Sequence, residues 1–202
     1  MVFVVDDDVS VRESLEAMAR WEGWRTETFA SAEEFLSRPH LPGPSCLVLD
    51  VSLPDLNGLE LQERIADRVY MPVIFITGHG DVPMSVKAMK AGATEFLIKP
   101  FDNSVLLEAI RLALQRSEAA LGEQAQMNQV RQRYSLLSPR EKQVMALVVS
   151  GHLNKQVGAE LGISEITVKA HRGQVMRKMQ ADSFADLVKM AARMQLPAAL
   201  DR

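Results

Sequence analysis

The sequence predicts an α/β domain with a parallel sheet, followed by a smaller all-α domain. Three observations lead there. Short apolar or strand-forming runs at 2–5, 26–29, 46–49, 73–76 and 95–98 alternate with helix-like segments near 9–21, 32–37, 59–68, 83–91 and 103–120. No strand signal follows residue 98. Charge also divides: residues 1–122 hold 11 Lys/Arg and 19 Asp/Glu, a balance of −8, whereas residues 123–202 hold 12 and 7, a balance of +5. An acidic front half with a basic back half suggests separate tasks, the second on nucleic acid.

Val2-Phe3-Val4-Val5, Cys46-Leu47-Val48-Leu49 and Val73-Ile74-Phe75-Ile76 are apolar throughout, as befits strands covered on both faces. The run at 26–29 is weaker. Gly23, Pro42-Gly43-Pro44, Pro54-Asp55-Leu56-Asn57-Gly58, Gly78-His79-Gly80 and Gly92 mark turns. From about Ala113 to Tyr134 the chain has no proline and is rich in Gln, Arg, Glu and Ala. Its apolar phase slips near Gly122, so a helical linker continuing the fifth helix is expected, with Gly122 as a point where it can bend. Ser138-Pro139-Arg140-Glu141 is a capping box with proline at the first helical position. Helices then fit 139–150, 154–161, 164–179 and 183–194, with breaks at Gly151 and Gly162 and a further cap at Ser183. The expected organisation is a domain over 1–116, a linker over 117–136 and a second domain over 137–202.

No apolar stretch reaches the ~18 residues of a membrane span, and a strand starting at Val2 leaves no room for a targeting leader. Cys46 is the only cysteine, which excludes an intrachain disulfide and a cysteine-based zinc site, and its place in a buried run suits a small core residue. A cytoplasmic address is expected.

In an open parallel sheet the carboxyl ends of the strands share one edge, where ligands bind. Four polar elements stand just past apolar runs: Asp6-Asp7, Asp50, Thr77 and Lys99. Three clustered carboxylates repel unless a cation joins them. Oxygen ligands without nearby Cys or His point to Mg²⁺. Asp50 can then serve as ligand and as nucleophile towards a phosphoryl donor, with Lys99 and Thr77 paired to phosphoryl oxygens.

Val4-Val5-Asp6-Asp7-Asp8, Leu49-Asp50, Leu53-Pro54-Asp55-Leu56-Asn57-Gly58, Ile76-Thr77-Gly78-His79-Gly80 and Phe96-Leu97-Ile98-Lys99-Pro100-Phe101 together resemble a bacterial response-regulator receiver domain of the FixJ-like branch, over residues 2 to about 116. The resemblance implies a flavodoxin-like, doubly wound sheet of order 2-1-3-4-5 and phosphorylation at Asp50 by a histidine kinase. It implies that Asp7 and Asp50 ligate Mg²⁺, Asp6 acts through water and Ser52 offers its backbone carbonyl. Thr77 and Phe96 match the family's switch pair, and Lys99 its lysine before a cis proline. Activation in that family brings dimerisation. Asp8 is expected to be solvated or beside the pocket mouth.

Residues 154–169 read as helix, glycine turn, helix. Val157, Leu161, Ile163, Val168, Val175 and Met179 form an inward set, while Lys169, Arg172, Arg177 and Lys178 are expected to face outward. Ser164 should cap the second helix. With Leu137-Ser138-Pro139-Arg140-Glu141 and Thr167-Val168-Lys169-Ala170-His171-Arg172, this half resembles the LuxR-type DNA-binding domain. The resemblance implies that 164–179 enters the major groove of double-stranded DNA. Lys169, Ala170 and Gly173 then face bases, while Lys155, Ser164, Thr167, His171, Arg172 and Arg177 are further DNA contacts. RNA polymerase is an expected partner. Gly173 departs from the pattern, because it has no side chain to read a base and glycine in a helix costs ~1 kcal/mol against alanine.

Two rivals remain at this point. Asp6-Asp7-Asp8-Val9-Ser10 also resembles the haloacid-dehalogenase phosphatase signature, with Asp6 as nucleophile. A phosphorylation-independent scaffold with a degenerate pocket is the other. The chain has no Gly-rich Lys-Ser/Thr loop for nucleotide.

Overall fold

Five parallel strands form one sheet: β1 (Val2–Val5), β2 (Thr26–Phe29), β3 (Cys46–Asp50), β4 (Val73–Thr77) and β5 (Glu95–Ile98). This computed structural model describes residues 1–39 and 42–194. The end of the expected second domain, 195–202, lies outside the described residues. The strand order is β2-β1-β3-β4-β5, as the resemblance implied. Strands β1, β3 and β4 are buried at every residue, and β2 and β5 at the two sheet edges are only partly covered. The unbroken apolar runs and the weaker edge signals have this common cause.

The helices are α1 (Val9–Trp21), α2 (Ala32–Ser37), α3 (Gly58–Arg64), α4 (Val82–Lys90), α5 (Asn103–Ser135), α6 (Pro139–Val149), α7 (Asn154–Leu161), α8 (Glu165–Met179) and α9 (Phe184–Arg193). Alternate strand residues serve opposite faces of the sheet. Phe3, Leu47 and Phe75 pack with Phe35 and Leu61 on one face, while Val4, Val48 and Ile74 pack with Leu106 and Ile110 on the other. Cys46 is fully buried there, and burial pushes its thiol up to about 12, so it stays a neutral core group.

One helix end differs from the sequence expectation, and one expected continuation is met. Helix α3 ends at Arg64, not 68, because the chain turns through Arg68 N–H to Ile65 O and Met71 N–H to Arg68 O before entering β4. The helical linker expected to continue the fifth helix does so, and α5 runs as one helix to Ser135. Its residues form helix readily, and one internal glycine at ~1 kcal/mol does not stop it.

The chain divides into two compact units, Met1–Gly122 and Glu123–Arg202. In the first, the buried Ser117 hydroxyl donates to the Tyr70 carbonyl and accepts the Ser45 N–H at 2.9 Å, fastening α5 beside the amino end of β3. In the second, Val130, Met145, Val175, Met179 and Leu187 form one core cluster, and Val144, Val148, Val157 and Val168 form another.

Candidate functional site

Register brings the first site together. Val5 pairs with Leu49 across β1 and β3, so the next residues, Asp6 and Asp50, stand side by side at the carboxyl edge of the sheet. Asp50 in turn pairs with Ile76, and Thr77 with Ile98, which sets Lys99 one residue beyond the end of β5. Carboxylate oxygens of Asp6, Asp7 and Asp50 all lie within 4.8 Å of one another. Lys99 Nζ stands 2.7 Å from Asp6 Oδ2 and 3.9 Å from Asp50 Oδ2. The acids and the amine expected to meet do meet, and the Lys99–Pro100 bond is cis.

The two buried aspartates have different surroundings. Asp6 is fully engaged: Lys99 holds Oδ2, the Asp8 N–H donates to Oδ1 at 2.9 Å, and Arg12 donates to its backbone carbonyl at 2.6 Å. Asp50, 6% exposed, keeps Oδ1 buried without a hydrogen-bond partner. Burial pushes its carboxyl above the ordinary aspartate range. Lys99 opposes this, Asp6 adds to it, and the N–H groups of Ser52 and Val51 oppose it. Buried polar atoms are normally satisfied, so an orphan carboxylate oxygen beside two other acids is fitted to a hard cation or an incoming electrophile. Asp7 is the exposed member of the trio. Asp8 is an exposed N-cap on α1, accepting the Ser10 N–H at 2.8 Å, and so belongs to the helix end. A nucleophilic Asp6 would have to give up partners on both oxygens, so the phosphatase-like alternative loses support.

Thr77 is fully buried and its hydroxyl accepts the His79 N–H at 3.2 Å. In this arrangement it closes its own loop. Phe96 is half-buried, with its ring centroid 6.0 Å from that of Phe75. A Cβ on Gly80 would lie 3.0 Å from Phe96 Cε1 and from Ile98 Cγ1, so the loop after Thr77 packs directly on the β5 side chains. Ser52 lies exposed in the loop after Asp50. That loop is anchored from both sides. Asp55 accepts the N–H groups of Ala32 and Glu33 at the start of α2, and Asn57 caps α3. Gly58 lies so close that a Cβ would strike the Asp50 carbonyl oxygen. Sequence reading registered Gly58 only as a turn residue; its role depends on a close approach that spacing does not reveal.

The second unit carries the other candidate surface. Ser164 caps α8 by accepting the Thr167 N–H at 3.1 Å, and Gly162, at φ +66°, closes α7 in the left-handed region that favours glycine. Val168, Val175 and Met179 are buried, while Leu161 and Ile163 are half-buried. Lys155, Lys169, Ala170, Gly173 and Arg177 are exposed, and Thr167 and His171 are half-buried.

Two outward assignments need correction. Arg172 donates to Asn154 Oδ1 at 2.7 Å and stacks 5.0 Å above the Phe184 ring, so it braces the start of α7. Lys178 pairs with Glu141 at 2.7 Å. Helical spacing alone cannot tell a free basic side chain from one that a neighbouring helix recruits. Arg140, which the sequence placed only within a cap, donates to the Leu161 carbonyl at 2.9 Å and satisfies the end of α7.

Glu141 closes the capping box on α6, accepting the Ser138 N–H at 2.7 Å as well as the Lys178 amine. Its carboxyl is lowered, first by the hydrogen bond from Lys178 and then by that from Ser138. A lowered acid contributes stability above its unfolded value, 4.5, and loses it as pH falls through the folded value. Glu141→Ala should therefore cost about 2 kcal/mol at pH 7, and the deficit should shrink in acid below that value. Urea titrations at several pH values measure this.

A Cβ at Gly173 would meet nothing within 4 Å. Packing does not demand the glycine, so Gly173→Ala should stabilise the unit by about 1 kcal/mol in thermal or urea unfolding.

Comparison with known proteins follows this division. Residues 2–111 match the family described as response regulator receiver domain, and residues 135–191 match the bacterial regulatory proteins of the luxR family. Nodulation protein W of Bradyrhizobium diazoefficiens is 48% identical over 199 residues, covering 98% of this chain and 88% of its own. Transcriptional regulatory protein FixJ of Rhizobium meliloti is 44% identical over 191 residues, 94% of each chain. The solved structure of the response regulator StyR is 46% identical, with a TM-score of 0.82, over 95% of this chain and 98% of that one. Among the described residues no helix is long and apolar enough to cross a membrane.

Proposed function

Since the chain belongs to the response regulators that join a receiver domain to a LuxR-type DNA-binding domain, we propose that it takes a phosphoryl group onto Asp50 from a partner histidine kinase and regulates transcription in the cytoplasm. The observation that carries this reading is the buried, unpartnered Asp50 Oδ1 beside Lys99 and two further carboxylates. An Asp50 oxygen attacks the phosphorus of a phosphohistidine. The O–P bond forms, the P–N bond breaks, and the leaving imidazole takes up a proton. The chain then catalyses only its own phosphorylation and dephosphorylation. Asp7, Asp50 and the Ser52 carbonyl would hold Mg²⁺, with Asp6 acting through water. When bound, the ion offsets the crowded negative charge of acids and phosphoryl oxygens. Lys99 neutralises one phosphoryl oxygen, and the Thr77 hydroxyl turns from His79 to donate to another.

That turn moves the loop through Gly80, which packs on Phe96 and Ile98, so Phe96 can follow inward. The affected face exposes Val86 and Met89 of α4, Ile98 of β5 and Val105 of α5. An apolar patch of this kind suits association with a second copy. The dimer would set two copies of α8 on paired half-sites of double-stranded DNA. Lys169 and Ala170 lie at the bases there, and Lys155, Ser164, Thr167, His171 and Arg177 at the backbone or groove walls. The bound dimer then activates transcription, with RNA polymerase as partner. Sedimentation and DNA-binding titration with and without beryllofluoride and Mg²⁺ test the reading. The wild type should dimerise and bind more tightly; a monomer with unaltered affinity would contradict it.

A further inference from the structure

Ile166 is 80% exposed on the first turn of α8, and neither the phosphate contacts nor the core accounts for it. A single exposed aliphatic residue is ordinary, and what distinguishes Ile166 is its position. Lys169, Ala170 and Gly173 follow it by three, four and seven residues, the spacing of one helix face. All four are exposed, while Val168, Val175 and Met179 are buried. Helical side chains lean towards the amino end, so Ile166 covers the end of α8 that enters deepest when such a helix lies in a major groove. The hydroxyls of Ser164 and Thr167 bond each other, while Lys169 makes only an exposed 3.4 Å ion pair with Glu165 that it can leave for DNA.

Resting on the DNA-binding reading above, we propose that Ile166, together with the Ala170 methyl, reads the C5-methyl group of thymine at one position of each half-site. In the major groove thymine presents an acceptor and that methyl, and apolar side chains recognise the methyl. Lys169, between the two, supplies the polar contact. Gly173 adds no reading group, and the open space at its Cβ leaves room for the helix to approach the DNA closely.

The full chain, with beryllofluoride and Mg²⁺, is used to select binding sites from random duplexes. In one selected duplex each thymine is then replaced in turn by deoxyuridine, which removes the methyl and keeps the acceptor. Wild type should lose about three- to fivefold in affinity at one thymine per half-site. Ile166→Ala, shown to be folded by circular dichroism, should bind the thymine and uracil duplexes alike. Ile166→Val should keep most of the discrimination. A uracil penalty that Ile166→Ala leaves unchanged would overturn the proposal alone. So would lost transcription with an unchanged thymine-to-uracil ratio, which would put Ile166 against a protein partner. Absence of any selected duplex with the wild type would overturn the DNA-binding reading and this proposal with it.

Discussion

Asp50→Asn should abolish the response to beryllofluoride and to phosphoryl donors, leaving the chain a monomer whose DNA affinity no longer changes. Coupling between two sites commonly changes affinity by 5–150-fold, so wild type should gain on the order of tenfold or more where the variant gains none. The substitution should also stabilise the metal-free receiver at neutral pH by roughly 1 kcal/mol. Asp50 carries an unpartnered buried oxygen, and burial, then Asp6, raises its carboxyl against the pull of Lys99 and two backbone N–H groups. A raised acid is stabilising while protonated and loses that contribution as pH rises through its folded value. The advantage of Asn over Asp should thus fade as pH falls below that value. Thermal unfolding of both proteins in chelator across pH reads both signs. Equal stability at neutral pH would mean that Asp50 is solvated and poorly placed to be a nucleophile.

Gly158→Ala should have the largest effect on the second unit. Gly158 is buried in α7, and its carbonyl accepts the Ile163 N–H at 2.9 Å across the turn. An added Cβ would lie 2.7 Å from the Ile163 carbonyl oxygen, which is backbone and cannot swing aside. The turn between α7 and α8 would have to open, at a cost of roughly 2–4 kcal/mol. For a unit of this size that lowers the melting temperature by roughly 10–20 °C. DNA binding should fall with it, while the receiver's response to beryllofluoride persists. An unaltered melting temperature would show that α7 and α8 pack more loosely than these distances imply.

Gly158 and Gly58 also mark where sequence reading stops. Gly58 was legible as a turn residue and Gly158 only as one position inside a helix; neither has a positive φ, and each is required by backbone across a loop or turn. By contrast, the pocket was legible because strand ends in a parallel sheet share an edge, so Asp6, Asp50 and Lys99 needed only their places after apolar runs. Caps were equally legible, because Ser138, Ser164 and Ser183 act on backbone within three residues. Side chains that reach another element were not: Arg172 to Asn154, Lys178 to Glu141 and Ser117 to Tyr70 depend on packing that no local pattern encodes. The continuation of α5 was legible too, because its proline-free run rich in Gln, Arg, Glu and Ala favours helix. Apolar periodicity marks the part packed on a core, and the exposed middle of the helix persists on propensity alone.

The most direct measurement is to phosphorylate the full chain with acetyl phosphate and Mg²⁺, reduce the acyl phosphate with borohydride, and locate the altered aspartate by peptide mass spectrometry. The reduced residue should be Asp50, at about one per chain, and absent from Asp50→Asn. Modification of Asp6 with continuing turnover, or no modified aspartate in a chain that still dimerises and binds DNA, would contradict the account.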